Sequence, residues 1–249
     1  IKLCLANKCL VLTSYTLPAN AGHTPDSLGL TLLALLRHAG TEAANLTACV
    51  ASSVVPGFDP LLREAVARYL DCPLYCAPDD LPIPLENRYE RPSEVGADSL
   101  VGAFAARRLC PDAASLLVVD FGTATNFEVI DRDGYFVGGI IAPGLQTSAG
   151  ALTSHGALLP ATALIAPALP IGTNTVEAIQ SGVMLGEADR VDGLVRRIFA
   201  QLGYEAAVVA TGGLAATMAP LCSTITEVNP NLTLEGLRLI LEEQERRGL

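Results

Sequence analysis

Three stretches of the chain hold residue types that phosphate chemistry uses. In VVDFGTATNFEVI (Val118–Ile130) an apolar run ends in Asp120, then Gly122, then hydroxyls at Thr123 and Thr125. An Asp-x-Gly-Thr turn between antiparallel strands offers backbone N–H groups to a phosphate. Gly122 lets the backbone approach closely, Thr123 adds a hydroxyl, and Asp120 can hold or orient a cation. Taken alone, this turn suits an ordinary hairpin equally well. In VVATGGLA (Val208–Ala215) a buried strand runs into Thr211, Gly212 and Gly213 before a helix begins. A flat ligand or phosphate can lie against bare backbone there, although a tight strand-to-helix turn explains the pattern more simply. In YERPSEVGADSLVGA (Tyr89–Ala103) a helix starting near Ser93 lines Asp98 up with Val101, Gly102, Ala105 and Leu109, on or beside the stripe that should be buried. A carboxylate in that place needs a partner or a task, while the helix dipole also favours an acid near a helix start. Neither GxxxxGK[ST] nor GxGxxG occurs, which sets aside the P-loop and the dinucleotide fingerprint.

The elements around these stretches alternate. IKLCLA and CLVLTSYTL read as a hairpin, and Asp26 and Ser27 can cap the helix LGLTLLALLRHAG, which Gly40 stops. LTACVASSVV is a strand broken at Pro56–Gly57, FDPLLREAVARYL an amphipathic helix, and PLYCAP a short strand. DDLPIPLENRYERP is a loop of a length that tends to carry function, and SEVGADSLVGAFAARRLC is a helix with Ser93 as its cap. The second half restarts the pattern. SLLVVDFG, ATNFEVID and YFVGGIIAPG form a meander with a hairpin signal at Asp133–Gly134. Helices LQTSAGALTSHG and, with a break, TVEAIQSGVMLGEADRVDGLVRRIFAQLG come next, then strand AAVVATGG, helix LAATMAPLC, strand-like STITEV and the final helix TLEGLRLILEEQERR. This repetition predicts two similar α/β domains, residues 1–111 and 112–249, joined near Cys110–Pro111 with a cleft between them. The alternating charges of GEADRVDGLVRR read as a solvated helix face. The opposite face, with Met184, Val191, Leu194, Val195 and Ile198, suits core or a dimer seam.

Composition narrows the function classes. Half of the 249 residues are apolar and only 17% are charged, so the chain can bury a core and is not disordered. A formal net charge of −10, without a basic stripe, argues against a nucleic-acid partner; Arg246–Arg247 reads as a solvated helix end. Seven scattered cysteines, without CxxC or a neighbouring histidine at ligand spacing, point to reduced buried thiols in a cytosolic protein rather than to zinc. With no signal peptide and no apolar run long enough to cross a bilayer, a soluble, cytoplasmic protein is expected. His23 and His38 read as loop and helix-end residues, and His155 as a loop histidine that is either cleft-lining or superficial.

In their order, VGAD, VVDFGTAT, YFVGGIIAPG and VVATGGLA, with SSVVP (Ser52–Pro56) and TLEGLRLI, resemble the type III pantothenate kinases of the acetate and sugar kinase/Hsc70/actin superfamily. The resemblance covers nearly the whole chain. It implies two ribonuclease H-like (actin-like ATPase) domains, each a mixed sheet flanked by helices, and phosphorylation of pantothenate by ATP with magnesium and a monovalent cation, potassium or ammonium. By that resemblance Asp98 is the general base and Asp120 the monovalent-cation ligand. Thr123 and Gly122 contact the ATP phosphates, and Gly212 and Gly213 form the turn beside the nucleotide. Tyr89, Gly96, Ala97 and Thr175 contact pantothenate. A homodimer is implied in the same way. Three positions depart from the family pattern. Ser99 stands at the substrate end where the family has arginine, removing a cation that would help hold substrate. Asn126 and Glu128 stand where a second threonine and an aspartate are usual. The family opens with an Asp-x-Gly-Asn phosphate loop ending in a lysine; Lys2 falls at that lysine, so residues preceding Ile1 are expected. These departures keep two other readings open: a regulatory relative that does no catalysis, similar to the transcriptional accessory factors, and a kinase for another small polar acceptor.

Overall fold

The computed structural model describes residues 1–18, 22–55, 57–155 and 159–248; Pro56, expected as a strand breaker, lies outside them. In chain order the elements are β1 (Lys2–Ala6), β2 (Val11–Thr16), α1 (Pro25–His38), β3 (Cys49–Ser52), α2 (Phe58–Tyr69), β4 (Leu74–Ala77), α3 (Ala97–Leu109), β5 (Leu116–Phe121), β6 (Ala124–Ile130), β7 (Phe136–Pro143), α4 (Leu145–His155), α5 (Thr175–Gln180), a π turn (Ser181–Leu185), α6 (Gly186–Leu202), β8 (Ala207–Thr211), α7 (Ala215–Met218), β9 (Glu227–Val228) and α8 (Leu232–Arg247). The alternation expected from the sequence is therefore present, and the fold is α/β.

Two helix starts differ from expectation. The cap of α1 is Thr24 rather than Asp26 or Ser27: its hydroxyl accepts the Ser27 N–H at 3.1 Å, and the Ser27 hydroxyl accepts the Thr24 N–H at 2.9 Å. This reciprocal capping box precedes Pro25, which is preorganised for a first helical turn. Helix α3 begins at Ala97, not near Ser93. Residues Pro92–Glu94 form a separate 3₁₀ turn, and Val95 leaves it extended (φ −82°, ψ 126°), which interrupts the helical path.

The chain forms two compact units. Unit 1 holds residues 1–85, 90–105 and 233–249. Its strands make an antiparallel pair, β1–β2, and a parallel pair, β3–β4. Leu28 of α1 packs against Leu62, Ala65 and Val66 of α2. A second cluster joins Ala77 and Leu81 to Val101 and Phe104 of α3 and Ile240 of α8. Ile240, with Leu237 and Leu241 beside it, completes this cluster, so the last helix belongs with unit 1 and not with the 112–249 segment in which the sequence placed it.

Unit 2 holds residues 86–89 and 106–232. Residues Glu86–Tyr89 join it through Arg88 N–H to Phe136 O (2.8 Å) and Phe136 N–H to Glu86 O (2.9 Å). Its five strands run in the order β7-β6-β5-β8-β9, with β6 antiparallel to both neighbours and β8 parallel to β5. Side chains alternate between the faces of a strand. Leu117, Val119, Phe121, Phe127, Val208 and Ala210 accordingly share one face and pack on Met184, Val191, Val195 and Ile198. That helical face is core, which removes it as a dimer seam. Unit 1 repeats the flanks of this sheet, an antiparallel hairpin and a parallel pair. Among the described residues no strand joins those two pairs.

The helix α6 is not the solvated charge pattern expected of it. Glu187 and Asp192 are only 5% and 9% exposed. The Asp192 carboxylate accepts the Thr224 hydroxyl at 2.7 Å and the N–H groups of Ser223 and Thr224 at 2.9 and 3.0 Å. Burial pushes the Asp192 carboxyl up, but the hydrogen bonds from Ser223 and Thr224 outweigh it and hold the group below the usual aspartate range. Burial pushes the nearby Cys222 thiol up to about 12, with Asp192 and Glu187 adding to it.

Candidate active site

The central strand of unit 2 ends in the candidate phosphate turn. Gly122 and Thr123 are exposed between β5 and β6. The sequence suggested several free N–H groups here, but the Gly122 N–H donates to the Ala124 carbonyl at 3.0 Å. Among the described residues the N–H and hydroxyl of Thr123 donate to no protein group. The Thr123 carbonyl, by contrast, accepts twice, from the Gly144 N–H at 3.1 Å and the Thr147 hydroxyl at 2.7 Å. A side chain at Gly144 would place Cβ 2.5 Å from the carbonyls of both Gly122 and Thr123, so only glycine allows the end of β7 to brace the turn. One carbonyl is thus held from behind, leaving two donors of Thr123 directed elsewhere.

The second glycine turn touches the first. Gly212 comes after β8, parallel neighbour of β5, with φ +94°. A Cβ on it would lie 2.3 Å from Asp120 Oδ1 and 2.7 Å from the Phe121 carbonyl. Among the described residues a Cβ on Gly213 would meet nothing within 4 Å, which leaves the backbone there bare and open to close approach. Asp120, Gly122, Thr123, Gly212 and Gly213 therefore gather at one end of the sheet of unit 2. Register places Asn126 and Thr211 opposite Asp120 on the same face, and Glu128 two residues further along it. Asn126 Oδ1 is buried and has no hydrogen bond to any described residue, and Glu128 is buried as well. Among the described residues no three His, Cys, Asp or Glu side chains converge as metal ligands. A single carboxylate such as that of Asp120, with no such cluster around it, suits a weakly held hard cation better than a caged transition metal.

Asp98 lies in unit 1 at the head of α3 and is exposed, not on the buried stripe that helical spacing suggested. Asp98 keeps its spacing to the buried Val101 and Ala105, but it lies in the first turn of the helix, ahead of the residues that pack. Its Oδ1 accepts the Ser99 N–H at 3.0 Å and folds back over Gly96, 2.5 Å from where a Cβ there would sit. Val54 Cγ1 is 3.5 Å from that same point, so the SSVV stretch adjoins Gly96, Ala97 and Asp98. Ser99 contributes its N–H to the carboxylate and no positive charge. An exposed, backbone-oriented carboxylate is a suitable proton acceptor for an incoming hydroxyl.

The remaining candidates are scattered. Lys2 is exposed on β1. Tyr89 is 38% exposed, its ring 6.4 Å from Phe136. Thr175 is exposed at the start of α5, after the Asn174 cap. In that turn Glu177 accepts the Thr173 N–H and hydroxyl at 2.8 and 2.9 Å. The bonds from Thr173, then from Asn174, hold the Glu177 carboxyl below its usual range. Sequence reasoning missed Gly144 and Thr147, whose roles depend on β7 returning beside the turn.

A mixed sheet in the order β7-β6-β5-β8-β9, a polar turn ending its central strand and a glycine turn ending the parallel neighbour define an α/β protein with its candidate site at one end of the sheet. A solved structure described as a Baf family transcriptional activator from Campylobacter jejuni has the same fold, with TM-score 0.54 and 16% identity over 81% of this chain and 85% of that one. A model of the type III pantothenate kinase family matches residues 1–197. A type III pantothenate kinase of Desulfovibrio desulfuricans is 53% identical over 98% of this chain and 93% of its own. One from Nitratidesulfovibrio vulgaris is 50% identical over 99% and 95%. The chain belongs to the type III pantothenate kinase family.

Proposed function

We propose that this chain transfers the γ-phosphoryl group of ATP to the primary hydroxyl of pantothenate, giving 4′-phosphopantothenate, the first step of coenzyme A synthesis. The observation that carries this reading is near-full-length identity of about one half to kinases of that name. Phosphoryl transfer needs positioning and charge neutralisation more than covalent chemistry, and the residues are apportioned accordingly. Thr123 and the Gly122 turn receive phosphate oxygens, Gly212–Gly213 flanks the nucleotide, and Asp120 holds a monovalent cation, potassium or ammonium. Magnesium bound to ATP would supply neutralisation of its phosphate charge. Asp98 takes the proton of the attacking hydroxyl, while Gly96, Ala97, Ser99, Tyr89 and Thr175 contact pantothenate, and Lys2 contributes charge toward ATP. The cellular place of this activity is the cytoplasm; no described helix is long and apolar enough to cross a membrane. Exposed Ile165, Leu169 and Ile171 in unit 2 support a homodimer, which light scattering tests.

A coupled ADP-release assay with potassium, magnesium and pantothenate is the experiment. Turnover is expected, and Asp98→Asn is expected to lose ~10²–10⁴-fold in kcat, the span a general base supplies. Its melting temperature is expected to stay unchanged, because the side chain is exposed. Absence of turnover with any acceptor, together with calorimetric binding of neither nucleotide nor pantothenate, would favour the regulatory reading that Ser99, Asn126 and Glu128 motivate. Turnover with another small alcohol alone would move the acceptor.

A further inference from the structure

The buried acid of α6 and the arginine one turn later have no place among the substrate contacts, yet their bonds end on both sides of the phosphate turn. Thr125, fully buried in β6, donates its hydroxyl to Glu187 Oε1 at 2.6 Å. Glu187 Oε2 pairs with the Arg190 guanidinium, whose same nitrogen donates to the Pro143 carbonyl at 2.6 Å. Pro143 ends β7 opposite Ala124, and its neighbour Gly144 holds the Thr123 carbonyl. The path Thr125–Glu187–Arg190–Pro143 therefore closes a ring around Gly122–Thr123, joining the strand that leaves the turn to the strand that braces it. The π turn just before α6 supports this placement. One extra residue per turn rotates the succeeding helix by about 100°, and here Glu187 comes to the buried side.

The Glu187 carboxylate is buried while its partner Arg190 keeps part of its side chain in solvent; burying a charge is costly, and such pairs seldom raise stability over well-packed apolar side chains. We infer that Glu187 and Arg190 are positioning residues, which set the direction of the Thr123 N–H and hydroxyl toward a bound nucleotide's phosphates by fixing the ends of β6 and β7. This rests on the reading of Gly122–Thr123 as the phosphate turn.

The test is calorimetric titration of the full chain with ADP and magnesium, alongside thermal melting and the pantothenate KM. Wild type is expected to bind ADP. Glu187→Gln, which removes the charge facing Arg190 and sets an amide donor against its guanidinium, and Thr125→Val, which leaves Glu187 Oε1 without its donor, are expected to weaken ADP by about tenfold and to raise the KM for ATP with the pantothenate KM unchanged. Thr125→Ser, which keeps the hydroxyl, is expected to recover most of the affinity. Variants that melt lower but bind ADP as wild type does would reduce the ring to a structural brace and overturn the inference. Should Glu187→Gln fail to fold, the comparison of Thr125→Val with Thr125→Ser decides on the same terms. Wild type that binds no ADP overturns the phosphate-turn reading itself, an outcome separate from unaltered binding in the variants.

Discussion

The two adjacent glycines after β8 differ in what a methyl group would do to each, and this separates folding from ligand binding. An alanine at Gly212 meets two costs. At φ +94° an L-residue is disfavoured by roughly 1–2 kcal/mol. Its Cβ would also sit 2.3 Å from Asp120 Oδ1 and 2.7 Å from the Phe121 carbonyl. The carbonyl is backbone of the central strand and cannot swing aside, so overpacking adds ~1–3 kcal/mol. The sum, ~2–5 kcal/mol, corresponds to a fall of roughly 4–20 °C in Tm for a chain of this size. At Gly213 the Cβ meets nothing within 4 Å, so Gly213→Ala is expected to melt within about 2 °C of wild type. Its methyl nevertheless fills the bare space assigned to the nucleotide, and ADP affinity is expected to fall by about tenfold, the equivalent of ~1.4 kcal/mol. Differential scanning calorimetry without ligand and isothermal titration with ADP measure the two effects. If Gly212→Ala melted with wild type, the steric reasoning at the β5–β8 junction would be wrong. If Gly213→Ala bound ADP normally, the glycine turn would not face the nucleotide.

Packing and charge give two more expected outcomes. Asp192 has its folded pKa depressed, so its contribution is present above the ordinary aspartate value, ~3.9, and is lost as pH falls through the lower folded value. Asp192→Asn should therefore lower Tm at neutral pH and flatten the acid limb of the Tm–pH curve below about pH 4; an unchanged acid limb would show that the Ser223–Thr224 contacts do not depend on charge. Phe127, 1% exposed in the core against α6, should cost ~3–5 kcal/mol as Phe127→Ala; denaturant titration reads this directly, and a cost under about 1 kcal/mol would mean the cluster is not close-packed.

What the sequence disclosed, and what it withheld, divides by the range of the interactions. Apolar runs, periodicity and turn residues found the strands because these are local: the apolar run of β5, the alternation in NFEV of β6 and the glycines after Val119 and Thr211 lie within a few positions of one another. The start of α3 was misplaced because Ser93 is an acceptable cap in isolation, and only the extended Val95 shows that the helix begins afterwards. With four residues fewer at its head, the helix has Asp98 in its exposed first turn while keeping its spacing to the buried Val101 and Ala105, so spacing alone gave a mistaken ground for expecting burial of a residue that the resemblance also marks. The charge pattern of α6 misled for the opposite reason. Acids and arginines alternating on a helix are ordinarily solvated, and nothing in GEADR signals that a π turn has rotated Glu187 inward or that Thr125, 62 residues away, meets it. Gly144 and Thr147 were silent likewise, since one carbonyl across two strands gives them meaning. The turn's donors are written in DFGTAT, whereas their direction is set by residues that only the closed sheet brings near, and substitution at Glu187 reports on that second layer while leaving the motif untouched.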